Sequence, residues 1–283
     1  CCVNLAKKLF ENCIETSNAA CIDQLVLFIR NHPSREVFER FFSLYDSNKV
    51  TSAFQFYPLV SLLKAEKSFV EWYSPKLVSR LSSTLTEDIE LLKAVIETLP
   101  LDVCEKIVKL AIKHNILAFA TVVLSRDDLP RHTISLIREE LLQDFIEHSA
   151  ATPSPELYSA IRKLISVDNI CAVLQNVTTV ELMQYLLSNC TLIERTIASG
   201  RDVSSLFCCL ITCVDKFADL CAPLASLCYR IVCTPVDLCV DSNFALDAVS
   251  LFTTKLRELS ACDQDTQLAI MATYIRLLGF LSP

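Results

Sequence analysis

The chain has 283 residues, of which 52% are hydrophobic, and it contains only two glycines, Gly200 and Gly279. Glycine-rich phosphate loops and tight hairpin turns depend on residues that tolerate positive φ, so this composition excludes most of them. The net charge of −7 argues against a broad surface for nucleic acid or for an anionic membrane. We therefore expect helices joined by short polar or proline-containing turns, and neither a membrane nor a nucleic acid as partner.

The cysteine content points to a reducing compartment. There are 15 cysteines, and an odd number in a chain of this length is not typical of the disulfide framework of a small secreted domain. The longest uncharged run near the cysteines, Val203–Val214, is far shorter than the roughly 20 residues that cross a bilayer. We predict a soluble cytoplasmic protein with buried free thiols.

Helix starts follow one another at regular intervals in the first half of the chain. They are expected near Asn18, Ser34, Thr51, Ser68, Thr86 and Asp102. Successive starts are 16, 17, 17, 18 and 16 residues apart, which fits one helix of three to four turns plus a short link. Two steps make about 34 residues, a length found in stacked helical repeats. Because single helices of this kind cannot bury their apolar faces alone, we expect them to stack.

The periodicity of apolar residues supports this interpretation. Apolar side chains fall on one helical stripe in Glu87–Leu99 and again in Val103–His114, with charged residues opposite. Three pairs of a capping residue followed by proline also predict helix starts, because proline is well tolerated at the first helical position. These pairs are Ser74-Pro75, Ser154-Pro155 and Thr234-Pro235.

The second half of the chain is less regular. Ala150–Pro155 is predicted to be a loop, and Arg201–Thr234 to form two nearly all-apolar helices. Asn243–Leu259 and Thr266–Leu281 are predicted to close the chain as two longer amphipathic helices. The predicted fold is therefore all-α: an armadillo- or HEAT-like α-solenoid, a right-handed superhelix of stacked helices. We expect N-terminal repeats in residues 1–150 and C-terminal repeats in residues 151–283, packed in one continuous solenoid.

Seven cysteines that are potential metal ligands lie within a short stretch of the sequence. They are Cys208, Cys209, Cys213, Cys221, Cys228, Cys233 and Cys239. A thiolate metal site is conceivable, but all four histidines precede residue 150 and the short paired spacings of zinc sites are missing. Free cysteine packs like a small hydrophobic residue, so core packing is favoured over metal binding. We predict no metal site.

Nothing in the sequence indicates catalysis. Cys104 and His114 lie ten residues apart on one predicted helix, about 15 Å along its axis, so they cannot form a nucleophile–base pair. No zinc-protease, phosphate-loop or nucleophile-elbow motif is present. We predict a protein that is not an enzyme, with no catalytic residues and no cofactor.

Two groups of residues are candidates for binding a partner protein. Phe38, Phe42 and Trp72 belong to an aromatic-rich stretch, and aromatic residues often anchor interfaces. Lys106, Lys109 and Lys113 form a basic stripe that can contact an acidic partner or a phosphate. Core packing is the favoured alternative for the aromatic residues, and a solvated helix face is the favoured alternative for the lysines.

Three segments resemble the ataxin-10 family, in that family's order. FQFYPLVSLLKAEKSFVEWYSPKL (Phe54–Leu77) resembles a helix pair in which the second helix ends in Pro-Lys-Leu. VELMQYLLSNCTLIERTI (Val180–Ile197) and YIRLLGFL (Tyr274–Leu281) are similar to two further helical segments of the family. The resemblance implies a cytoplasmic armadillo-repeat scaffold without enzymatic activity, linked to neurite outgrowth, neuronal survival and cytokinesis. It supplies no binding motif for particular residues.

The function that these observations predict is that of a protein-binding scaffold or adaptor whose partner the sequence does not identify, with self-association as a further possibility. A nucleic-acid-binding helical repeat is one alternative, and it requires basic residues gathered on one surface. A helical metal-binding protein is the other, and it requires the cysteines to converge.

Overall fold

The computed structural model describes residue 8 and residues 19–39, 57–83, 89–188, 191–200, 202–235, 238–258 and 262–281. These residues form helices and connecting turns, and none of them is in a β-strand. The predicted all-α class is therefore confirmed. Among the helices in these ranges, none is long and apolar enough to cross a membrane.

The chain divides into two compact units, Cys1–Leu141 and Leu142–Pro283. The first unit contains α1 (Ala19–Asn31), α2 (Tyr57–Ala65), α3 (Lys67–Ser83), α4 (Ile89–Val95), α5 (Leu101–His114) and α6 (Leu117–Leu124). Residues 35–39 are also helical. A 3₁₀ turn, Ile96–Thr98, follows α4. Helix α2 packs against α1, α3 and α4, while α5 packs against α3 and α6, and α4 also packs against α6.

Helix α7 (Arg131–Ala151) contains the division between the units, and the remaining helices lie in the second unit. They are α8 (Pro155–Leu164), α9 (Ile170–Asn176), α10 (Val180–Ser188), α11 (Thr191–Ser199), α12 (Val203–Lys216), α13 (Cys221–Val232), α14 (Ser242–Arg257) and α15 (Gln264–Leu281). Helix α12 packs against α9, α13 and α14, and α15 packs against both α13 and α14. The two apolar helices predicted in Arg201–Thr234 and the two predicted at the end of the chain are all present.

Several predicted helix boundaries agree with the structure and others differ. Ser154 caps α8, since its side chain accepts a hydrogen bond from the Leu157 amide at 3.1 Å, with Pro155 at the first helical position. Pro75, in contrast, lies inside α3 rather than at a helix start. The predicted loop at residue 150 is also shorter than expected, because α7 continues through Ala150 and Ala151, and alanine strongly favours helix. The starts near Thr51 and Thr86 lie outside the described residues.

Four buried hydroxyl groups in the helices bond to their own backbone. The hydroxyls of Ser74, Ser149, Thr196 and Thr273 each donate to a carbonyl three or four residues earlier, at 2.6 to 3.0 Å. Each of these side chains is at most 4% exposed. Local bonds of this kind satisfy the hydroxyl without a partner on another helix, so they do not hold neighbouring helices together.

Candidate protein-binding groove

A groove of about 440 Å³ lies between α3 and α5, in the first unit. Its lining contains Val70, Val78 and Val103 together with Pro75 and Pro100, which make its surface largely apolar. Val70 and Val103 are nearly fully buried, whereas Val78 is half-buried and Pro75 is exposed. Its volume falls within the size range of pockets that accept small ligands or anchoring side chains.

Four charged residues also line this groove, two from each helix. Lys67 and Glu71 lie four residues apart on α3, both exposed, and neither forms an ion pair with any described residue. Asp102 and Lys106 lie four residues apart on α5 and approach each other to 3.5 Å. The groove therefore combines an apolar lining with exposed charges of both signs.

Pro75 changes the hydrogen bonding of α3 where the helix lines the groove. Proline has no amide hydrogen, so it cannot donate the usual helical bond to the carbonyl of Glu71, four residues earlier. The preceding hydroxyl, that of Ser74, donates to the carbonyl of Val70 at 2.6 Å and therefore does not replace this bond. The Glu71 carbonyl thus lacks its ordinary helical donor.

The three lysines of the predicted stripe have different neighbours in the structure. Lys106, Lys109 and Lys113 are all exposed on α5, but only Lys106 lines the groove. Lys109 lies 2.7 Å from Glu105, and this hydrogen bond, together with one from His132, lowers the pKa of the Glu105 carboxyl. Lys113 has no ion-pair partner among the described residues. Two of the three lysines are therefore paired along their own helix, as in a solvated helix face.

Of the predicted aromatic anchors that the structure describes, Phe38 lies in the core and Trp72 is half-buried. Phe38 is fully buried; its ring stacks on that of Phe69 with a centroid distance of 5.0 Å and lies 6.0 Å from that of Trp72. Trp72 is half-buried and has its ring 5.6 Å from that of Phe69. Phe42 lies outside the described residues. In this conformation Phe38 is not available to a partner, so core packing accounts for its position.

The sequence did not single out Lys67, Glu71 or Pro75 as binding residues. The spacing of Lys67 and Glu71 places them on one helix face, and this was the available signal. The serine before Pro75 predicts a helix start there, whereas the proline lies inside α3. The pairing of α3 with α5, which turns these residues into one wall of a groove, cannot be read from the local pattern.

Three cysteines of the second unit, Cys171, Cys209 and Cys213, lie where α9 meets α12. The Gln175 side-chain amide donates to Sγ of Cys209 at 3.3 Å, and the Cys213 thiol donates to the Leu174 carbonyl at 3.8 Å, so each links α12 to α9. Cys171 hydrogen-bonds Cys209, which raises the pKa of Cys171 and lowers that of Cys209. Among the described residues no three His, Cys, Asp or Glu side chains gather as a metal site would require.

Buried thiols give the protein a predicted weakness at alkaline pH. Burial raises the pKa of Cys213 from 9.0 to about 11 and raises that of the fully buried Cys228 as well. Above pH 9 the unfolded chain loses these protons while the folded chain keeps them. The free energy of unfolding should therefore fall as pH rises from 9 to about 11, by up to about 1.4 kcal/mol per pH unit for each thiol.

Urea unfolding at pH values on either side of 9 measures this slope. The variant Cys213→Ala should show a shallower slope than the parent chain, whatever its absolute stability. Cys239→Ala, which removes an exposed cysteine, controls for the loss of a thiol. An unchanged slope in Cys213→Ala would contradict the assignment.

Comparison with known proteins does not place the chain in a family. No protein-family model, no curated protein and no solved structure matches it. The groove between α3 and α5 and the packing of the helices are therefore the basis for a functional assignment.

Proposed function

We propose that this chain is a non-enzymatic protein-interaction adaptor built of armadillo- or HEAT-like helical repeats. The observation that carries the proposal is the α3–α5 groove, with its apolar lining and its exposed charges of both signs. In hot spots of protein interfaces a buried apolar anchor commonly provides most of the affinity, while charges at the rim select the partner and its orientation.

The arrangement of helices supports the repeat architecture. In the first unit α2 packs against α4, α4 against α6, and α3 against α5, so each of these helices contacts the next but one. In the second unit α8 packs against α10, α12 against α14, and α13 against α15. Two rows of helices, each made of alternate elements, are what stacked helical repeats produce. We propose that this stacking forms the solenoid that the sequence predicts.

The groove favours one kind of occupant, a segment of a partner protein with an apolar side chain between an acidic and a basic residue. The apolar side chain would fill the space against Val78 and Pro75. The acidic residue would face Lys67 and the basic residue would face Glu71, neither of which has an ion-pair partner among the described residues. A backbone amide of the partner would supply the donor that the Glu71 carbonyl lacks in the helix.

The resemblance to the ataxin-10 family extends the proposal to a cytoplasmic role in neurite outgrowth, neuronal survival or cytokinesis. This extension rests on the three similar sequence segments alone. The predicted lysine stripe does not favour the nucleic-acid alternative, because Lys106 and Lys109 are already paired with acidic residues of their own helix.

A photo-crosslinking experiment tests the groove directly. A photoreactive amino acid at Val78, in the groove, is compared with one at Lys113, on the same unit but outside the groove. We expect Val78 to crosslink a defined protein in cell extract and Lys113 not to do so. Crosslinks to nucleic acid, or the same products from both positions, would count against the proposal.

Reversing the charge of the basic residues in the groove is expected to weaken partner binding. The double variant Lys67→Glu/Lys106→Glu should weaken binding of the crosslinked partner about tenfold or more, because both basic groups of the groove become acidic. The control, Lys93→Glu/Lys113→Glu, makes the same change in net charge on helices of the same unit, outside the groove. Circular dichroism checks that both variants are folded, and titration measures their affinities for the partner. Equal affinities of the two variants would contradict the proposal.

A further inference from the structure

Helix α15 presents a second apolar face that its own unit does not cover. One face, with Ala269, Ile270 and Leu277, is buried and packs against α13 and α14. Four large apolar side chains lie on another face and remain substantially exposed. They are Leu268 (53% exposed), Met271 (47%), Ile275 (65%) and Leu278 (39%). An exposed row of this kind is uncommon on a protein that acts as a monomer.

The spacing of this row is that of a helix–helix seam. Steps of three, four and three residues keep the four side chains within an arc of about 80° along the helix. This is the alternation by which two helices pack along each other in a coiled coil. Gly279 lies on the edge of the row, and nothing lies within 4 Å of the position a Cβ would take there. Together with Ala272 it leaves room for another helix to come close.

The charges beside the row select one way of pairing. Asp265 and Arg276 are exposed on the same flank of the row, and neither forms an ion pair with a described residue. Arg276 lies over the ring of Phe280, with its guanidinium carbon 5.2 Å from the ring centroid. When two copies of α15 run antiparallel about a twofold axis near Met271, like flanks face each other. Asp265 of each copy then lies beside Arg276 of the other.

We propose that this chain forms a symmetric homodimer through antiparallel packing of its α15 helices. In this arrangement Leu268 of one copy lies against Ile275 of the other, and two Asp265–Arg276 pairs close one flank. In a parallel arrangement opposite flanks face each other, so Asp265 and Arg276 of the two copies would lie on opposite sides of the seam and could not pair. A single pair of 18-residue helices buries less surface than a standard interface, so the dimer is weak, with a dissociation constant in the micromolar range or above.

Sedimentation velocity of the intact chain over a range of concentrations tests this inference, with a reducing agent present because the chain has many free thiols. We expect the apparent mass to rise with concentration toward that of a dimer. Ile275→Asp should raise the dimer dissociation constant at least about 100-fold, because it places a charge in the apolar seam. Leu246→Asp, at an equally exposed leucine on α14, is the control and should leave the constant unchanged.

A charge swap then tests the antiparallel direction. Asp265→Arg and Arg276→Asp alone should each raise the dissociation constant about tenfold, and the double swap should restore it. A chain that stays monomeric at the highest concentrations overturns the proposal, as does a dimer that Ile275→Asp and Leu246→Asp affect equally. A double swap that fails to restore the dimer overturns the antiparallel register. Helicity of every variant is checked by circular dichroism, since these positions are exposed and the fold should persist.

Discussion

Replacing Arg126 by alanine is expected to lower the free energy of unfolding by about 2–4 kcal/mol. Its side chain is only 9% exposed, and Nη1 donates to the carbonyls of Ile96, at 2.8 Å, and Leu99. Nη1 also approaches Sγ of Cys104 at 3.2 Å, while Nε and Nη2 bind the two carboxylate oxygens of Asp128, each at 2.7 Å. Truncation would remove the Nη1 donor from the Leu99 carbonyl and leave the Ile96 carbonyl with the Leu99 amide, at 3.3 Å.

Urea unfolding followed by circular dichroism measures the Arg126 effect. Arg126→Lys should fall between the parent chain and Arg126→Ala, because an ammonium group cannot bind both oxygens of Asp128 and the carbonyls at once. Arg131→Ala, which truncates an exposed arginine in the same unit, should change stability by no more than about 0.5 kcal/mol. An Arg126→Ala variant as stable as Arg131→Ala would show that the guanidinium is not holding the turn after α4.

Phe252→Ala should destabilise the second unit more strongly, by about 3–5 kcal/mol. The Phe252 side chain is fully buried on α14, a helix that packs against both α12 and α15. Removing the ring leaves a cavity whose walls relax only partly, so lost burial and lost packing add together.

The matched control for Phe252 lies on the same helix. Leu246 is 58% exposed, and Leu246→Ala should change the free energy of unfolding by no more than about 0.5 kcal/mol. Thermal or urea unfolding of both variants provides the comparison. A loss below about 1 kcal/mol for Phe252→Ala would mean that the neighbouring helices close over the vacated space.

Local patterns predict the helices well, because a helical period of 3.6 residues can be recognised from apolar residues within one or two neighbouring turns. Ser154-Pro155 is an example, since capping residue and proline act within one helical turn. Ser74-Pro75 shows the limit of such reasoning. Pro75 sits on the exposed side of α3, where a missing amide hydrogen costs less. Burial of Tyr73 before it and of Leu77 after it holds the helix on both sides.

The candidate site could be predicted only in part. The spacing of lysines on α5 predicts Lys106 as a binding residue. Its position in a groove depends on α3, whose residues lie some thirty positions earlier. The same distance in sequence separates Arg126 from Ile96, so no local pattern indicates their hydrogen bond. For α15 the sequence shows an apolar helix, but which apolar face is buried is decided by α13 and α14.

The thiols of the second unit differ in burial, and this difference allows local opening of the unit to be measured by chemical labelling. Cys233 and Cys239 are exposed, whereas Cys228 is fully buried at the centre of α13. An alkylating reagent reaches the first two in the native chain, but it reaches Cys228 only when the packing around α13 opens. The delay between the two labelling steps therefore measures how often this part of the protein opens under native conditions, without any introduced cysteine.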